Sequence, residues 1–208
     1  MEKNEKISEF TVRRLSSYYR ILDDLKQQSV QTVSSARLAE LGGITPAQVR
    51  KDLSYFGSFG TRGLGYDVED LKNKLIDILG LNGKRSMSLF GAGSLGRALF
   101  YHQGFRDDGF LFTHIFDVDP QRIGQDWLDV TILHVSTAEE ELKKNPVEIG
   151  VVATPEDAAQ GVVDLLADLG VNAVLNFATR SLSTPEGMML RNVNLAGALD
   201  SLSFFLAT

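Results

Sequence analysis

The 208 residues predict an α/β chain in parts: a small helical domain, a parallel-sheet domain, and a closing helix. Three observations carry that prediction. Between Ser34 and Tyr66 a capped helix pair runs straight into a glycine-studded ribbon. From Ser86 onward, apolar strands alternate with amphipathic helical stretches. At the first of those strand-to-helix junctions stands Gly91-Ala-Gly93-Ser-Leu-Gly96.

The first helix is predicted from Ser8 to about Gln27, because Val12, Leu15, Tyr19, Leu22 and Lys26 recur at three- and four-residue steps. A short helix follows, with Ser34 or Ser35 as its cap, apolar Leu38 and Leu41, and Gly42-Gly43 as its stop. The next start is better marked. Thr45 suits the N-cap, Pro46 the first helical position, and Gln48 the far side of a capping box. Val49, Leu53 and Phe56 form its apolar face, and Gly57 ends it. Ala47, Arg50, Lys51 and Ser54 share the opposite face at helical spacing. Helix, turn and capped helix make a helix-turn-helix. Then Gly57, Gly60, Gly63 and Gly65 separate Phe59, Leu64 and Tyr66, a tight ribbon that packs back while Thr61 and Arg62 hold the tip. A helix-turn-helix with such a ribbon is a winged helix. One more amphipathic helix, about Val68 to Leu79, leads to a boundary at Gly80–Arg85.

Beyond the boundary the strands SMSLF, FLFTHIFDVDP, VEIGVVAT and NAVLNFAT alternate with helical GAGSLGRALFYHQGF and PEDAAQGVVDLLADLG. Such alternation implies a mainly parallel sheet covered by helices. An apolar helix from about Ala196 to Leu206 ends the chain. The expected partition is residues 1–80, 81–195 and 196–208.

Composition excludes several classes. No apolar run approaches the roughly 20 residues that cross a bilayer, the N-terminus is unlike a secretory signal, and there is no cysteine. A cytoplasmic protein without disulfides is expected. His102, His114 and His134 are scattered, so no metal site is expected. Net charge is −6, but unevenly spread. Residues 10–66 hold eight Lys/Arg and four Asp/Glu, whereas residues 76–208 hold nine and seventeen. The basic front is the part suited to an anionic partner. Arg50 and Lys51 can reach phosphates or guanine edges in a major groove, and Arg62 suits a minor groove.

The glycine cluster follows a strand, opens a helix, and precedes a second strand ending in Asp117. In a dinucleotide site Gly91 allows the tight turn, Gly93 lets the pyrophosphate approach, and Gly96 allows close helix packing. Ala92, Ser94 and Leu95 complete the phosphate-facing turn. Asp117, 21 residues beyond Gly96, is placed to accept the adenosine ribose hydroxyls and to repel a 2′-phosphate, favouring NAD(H). Asp119 is the alternative acid, although Asp119-Pro120 reads as a helix cap. His114 reads as a core histidine and Trp127 as packing.

SSARLAELGGITPAQVRKDLSYFGSFGTRGLGYDVEDL resembles the DNA-binding part of the Rex redox-sensing transcriptional repressors. RRLSSYYRIL, FGAGSLGRAL, FDVDPQRIG, VVATPEDAAQ and LGVNAVLNFA continue the resemblance in order, over nearly the whole chain. It implies a winged helix on a Rossmann domain, double-stranded operator DNA as partner, release of that DNA by NADH, and a homodimer that exchanges its C-terminal helix. It also implies cofactor contacts at Ala153, Thr154, Pro155 and Phe177, and a switch at Arg20, His102 and Asn194. Three positions depart from the family pattern: His102 stands in place of a tyrosine, Asn194 in place of an aspartate, and Thr179 in place of a proline. An asparagine cannot pair ionically with an arginine such as Arg20, so a retuned response to the nicotinamide end is expected.

The reading is therefore a dimeric, NADH/NAD+-sensing repressor. A Rex-like paralogue that does not switch fits the same residues. An NAD-dependent dehydrogenase with a DNA-binding appendage fits less well, because no residue is evidently poised to take the proton that accompanies hydride transfer.

Overall fold

The computed structural model describes residues 7–61, 63–179 and 182–207. They fall into two compact units, divided between Gly83 and Lys84.

The first unit is α1 (Glu9–Gln27), β1 (Thr32–Val33), α2 (Ser35–Gly42), α3 (Pro46–Ser54), β2 (Tyr66–Asp67) and α4 (Val68–Leu79). Each helix starts on a side-chain cap: Ser8, Ser34, Thr45 and Asp67 accept N–H groups of the first turns of α1, α2, α3 and α4. Such caps contribute about 1 kcal/mol each. Left-handed Gly43 and Gly80 close α2 and α4. Leu15, Tyr18, Leu22, Leu38, Val49, Leu53, Leu71 and Leu75 make one core. The buried stripe of α1 is Thr11, Leu15, Tyr18, Leu22 and Leu25, rotated from the one expected. Val12 and Leu41 stay exposed.

The ribbon also differs from expectation. Tyr66 and Asp67 pair antiparallel with Val33 and Thr32, a partner strand that precedes α2 in sequence. The tip is a tight turn in which the Thr61 and Gly65 N–H groups donate to each other's carbonyls. Tyr66 packs inward, while Leu64 is 75% exposed and does not. Arg62, the expected tip contact, lies outside the described residues.

The second unit is β3 (Arg85–Phe90), α5 (Ser94–Phe100), α6 (Gln103–Asp107), β4 (Phe110–Asp117), β5 (Asp126–Trp127), β6 (Val130–His134), α7 (Ala138–Lys144), β7 (Ile149–Val152), α8 (Glu156–Asp168), β8 (Ala173–Asn176), β9 (Met189–Asn192) and α9 (Leu195–Leu206). The strand order is β5-β6-β4-β3-β7-β8-β9, all parallel except the β5–β6 pair. Leaving β5 aside, this is the doubly wound Rossmann order, whose crossovers part company between β3 and β7. Apolar clusters about Phe90 and Phe116, and about Leu89 and Phe100, surround the central strands.

Two expectations in this unit need correction. The helix expected after the glycines is two helices, because the chain turns extended at His102, which precedes α6 without a side-chain capping bond. Asp119-Pro120 opens a turn and not a helix: the Arg122 and Ile123 N–H groups both reach the Asp119 carbonyl, and the ladder stops there.

Candidate functional site

Where the β3 and β7 crossovers diverge, a cleft of about 670 Å³ opens at the carboxyl ends of the strands. Its walls include Gly91, Gly93, Ser94, Leu95, Asp117, Ala153, Thr154 and Pro155, all residues the sequence assigned to a cofactor. Three expected residues do not line it. Ala92 and Gly96 belong to the turn but are buried within it, and Phe177 packs into the core, its N–H donating to the Val152 carbonyl.

The turn has the shape a pyrophosphate needs. Gly91 has φ +100°, and a Cβ there would lie 2.5 Å from the Ala153 carbonyl oxygen. At Gly96 a Cβ would collide with the Gly91 carbonyl, so helix and strand approach as only glycine permits. A Cβ on Gly93 would meet nothing within 4 Å, which leaves open space above the turn. Gly93 is also the N-cap of α5 and provides no side-chain acceptor. The first N–H groups of α5 are thus left for an outside acceptor, the arrangement that holds phosphate oxygens.

Asp117 was expected to offer its oxygens to a ribose. Its carboxylate is instead committed within the protein. Oδ1 accepts the N–H groups of Val118 (2.7 Å) and Asp119 (2.8 Å). Oδ2 accepts the N–H of Ala92 at 2.5 Å and Nη1 of Arg122 at 3.2 Å. Burial alone would raise its pKa, but the N–H groups of Asp119 and Ala92, with Arg122, outweigh burial and hold the carboxyl below its ordinary range. Asp119 lines the same cleft with its side chain 32% exposed.

In the first unit, Ala47, Arg50, Lys51 and Ser54 all stand exposed along α3. Arg50 donates from Nη1 to Ser35 Oγ at 3.0 Å, which holds its guanidinium beside the start of α2. A hollow of about 440 Å³ lies between Ser34, Ser35 and Arg50 on one side and the ribbon on the other. The inner face of α3 carries a residue that sequence reasoning missed. Asp52 is fully buried and takes Arg14, Tyr18 and Gln48 on its two oxygens. Gln48 donates its side-chain N–H to Asp52, and of the expected capping box the half in which Thr45 Oγ1 accepts the Gln48 backbone N–H is formed. An aspartate between Val49 and Leu53 on an apolar face was the signal available.

The proposed switch residues are placed as follows. Arg20 is exposed on α1 of the first unit. His102 is exposed at the start of α6, its ring 4.8 Å from that of Phe105. Asn194 caps α9, its Oδ1 accepting the Gly197 N–H at 2.8 Å. Thr179 donates to the Glu156 carboxylate. His114 is buried in β4, and burial lowers its pKa. Among the described residues, no group of acidic and histidine side chains could hold a metal ion. No helix there is long and apolar enough to cross a membrane.

A winged helix and a Rossmann cleft on one chain define a class: a DNA-binding domain coupled to a nucleotide-binding domain. Comparison with known proteins narrows it. Residues 6–54 match the family model "Putative DNA-binding protein N-terminus", and residues 82–180 match "CoA binding domain". The redox-sensing transcriptional repressor Rex of Desulfitobacterium hafniense is 48% identical over 99% of this chain and 98% of its own length. Its counterpart in Syntrophomonas wolfei is 46% identical over 97% and 96%. Among solved structures, a Rex-family repressor, RSP, in complex with NADH superposes with a TM-score of 0.90 at 36% identity, covering 98% of this chain and 95% of that one. RSP with NAD+ and operator DNA gives 0.90 at 38% identity, over 96% and 92%. The chain belongs to the Rex family of redox-sensing transcriptional repressors, whose curated members are named as repressors and not as enzymes.

Proposed function

We propose that this chain represses transcription by binding operator DNA and releases it when NADH occupies the Rossmann cleft. The observation that carries the reading is the turn at Gly91–Gly96, where an uncapped helix start meets open space in a cleft at the strand ends. The cofactor residues are Gly91, Ala92, Gly93, Ser94, Leu95 and Gly96, with Asp117, Ala153, Thr154, Pro155 and Phe177 in support. Relatives bound to NADH, and to NAD+ with operator DNA, support that assignment. NADH acts here as an effector, and the protein's part is to bind it and change shape. Ala47, Arg50, Lys51 and Ser54 face the DNA, and Arg62 belongs to the same set.

The active form is a homodimer held by the C-terminal helix, residues 196–208. No residue of α9 is buried, and Leu195, Leu199, Leu202 and Phe205 are each at least 59% exposed. Apolar surface left that open calls for a partner, and a second copy of this helix supplies one. The site of action is the cytoplasm.

Linkage gives the mechanism its form. If NADH favours a domain arrangement that misplaces paired recognition helices, operator DNA must weaken NADH by the same factor. Arg20, His102 and Asn194 are the switch positions. The test is operator binding titrated separately with NADH and NAD+, alongside the oligomeric state by light scattering. NADH should weaken operator binding and NAD+ should not. Equal responses to both would sink the redox reading, and a monomer that binds operator tightly would sink the dimer.

A further inference from the structure

We infer that Asp119, and not Asp117, is the residue that distinguishes NADH from NADPH, and that Asp117 is a positioning residue that presents it. The inference rests on the dinucleotide reading of the cleft.

An ionised carboxylate offers about four lone-pair sites. Those of Asp117 are filled by Ala92, Val118, Asp119 and Arg122, at 2.5 to 3.2 Å, and its side chain is only 5% exposed. Two ribose hydroxyls have no acceptor left there. To bind them Asp117 would have to abandon buried N–H groups, and a buried donor left unmade is costly. Asp119 is differently placed. Its Oδ1 accepts a single N–H, that of Gln121 at 2.9 Å. Its Oδ2 stands 3.4 Å from Arg122 Nε, long for a hydrogen bond. It lines the cleft, is 32% exposed, and has acceptor capacity to give.

The job of Asp117 follows from where its donors come from. Ala92 belongs to the glycine turn that faces the phosphates, whereas Val118 and Asp119 belong to the turn after β4. One carboxylate therefore ties the phosphate end of the site to the ribose end and fixes where Asp119 points.

Charge decides the phosphate question. Arg122 is one cation set between two carboxylates, 3.2 Å from Asp117 and 3.4 Å from Asp119. The trio is net negative, so a 2′-phosphate beside Asp119 meets repulsion. Removing the Asp119 charge leaves Arg122 balanced by Asp117 alone and able to turn towards a phosphate.

The experiment measures NADH and NADPH dissociation constants, and thermal stability, for the parent, Asp119→Asn and Asp117→Asn. Asparagine at 119 keeps the Oδ1 acceptor for Gln121, so the turn is preserved. We expect Asp119→Asn to weaken NADH about tenfold and to tighten NADPH, with little change in melting temperature. Asp117→Asn should weaken both dinucleotides by a similar factor, preserve their ratio, and lower the melting temperature. Should Asp117→Asn not fold, the ratio measured on Asp119→Asn decides alone. A ratio unchanged in Asp119→Asn returns the discriminating role to Asp117 and overturns the inference. A parent protein that binds neither dinucleotide would instead remove the cofactor reading, and this inference with it.

Discussion

Arg14 grips Asp52 with both arms of its guanidinium: Nε reaches Oδ2 at 2.6 Å and Nη2 reaches Oδ1 at 2.7 Å. The pair joins α1 to the inner face of α3, directly behind the exposed Arg50 and Lys51. Tyr18 completes it, donating its hydroxyl to Oδ2 at 2.8 Å. A carboxylate this deep persists only because every oxygen is satisfied. The orientation of α3, the helix proposed to meet DNA, thus depends on this buried cluster.

Asp52→Ala should destabilise the protein by roughly 3–5 kcal/mol, the range for stranding one partner of a buried ion pair. Tyr18→Phe removes one hydrogen bond to a charged group and should cost about 1.5–3 kcal/mol. Urea denaturation of both variants measures this. A loss under about 1 kcal/mol for Asp52→Ala would mean that the cluster does not hold α3.

The same cluster sets an acid limit. Burial would raise the pKa of Asp52, but the hydrogen bonds from Arg14, Tyr18 and Gln48 outweigh it and hold the folded value below the ordinary one. A lowered folded pKa contributes stability above the unfolded value of about 3.9, lost as pH falls through the folded value. Asp117 has the same sign. The urea midpoint should be flat in the contribution of these groups from pH 7 to about 5 and fall below about 4. Asp52→Asn should flatten part of that fall.

Reversing charge at Arg50 or Lys51 should abolish operator binding and leave NADH affinity nearly intact, since both are exposed on α3 and far in sequence from the glycine turn. Operator affinity of the parent should drop steeply with salt as phosphate contacts release counterions. Binding that ignores salt would remove α3 from the interface.

Gly96→Ala should eliminate dinucleotide binding, because its Cβ has no room beneath the Gly91 carbonyl and the turn must shift. Operator binding without NADH should survive. Calorimetry with NADH reads the first effect and a gel-shift assay the second; unchanged NADH affinity would contradict the packing argument.

His102→Tyr together with Asn194→Asp should enlarge the drop in operator affinity caused by NADH. Aspartate retains the acceptor that caps α9 at the Gly197 N–H, so the helix start is not disturbed. Coupling between sites is typically about 1–3 kcal/mol, so the change should be readable in operator titrations. An unaltered NADH response would show that these positions do not read the nicotinamide end.

Sequence alone determined what local chemistry determines. The capped starts at Thr45 and Pro46, the glycine spacing at 91, 93 and 96, and the cationic face of α3 are each written within a few residues. Their physics acts over one or two turns, so they are legible in one dimension. The tertiary structure decided how acceptors are shared. Asp117 looked free for a ribose until Ala92, 25 positions away, brought its N–H against it. Asp52 gained its ion-pair partner only when Arg14, 38 positions away, closed on it. The pairing of β2 with β1 and the break at His102 escaped for the same reason. A buried carboxylate binds whichever donors the folded chain delivers, and only long-range packing chooses them.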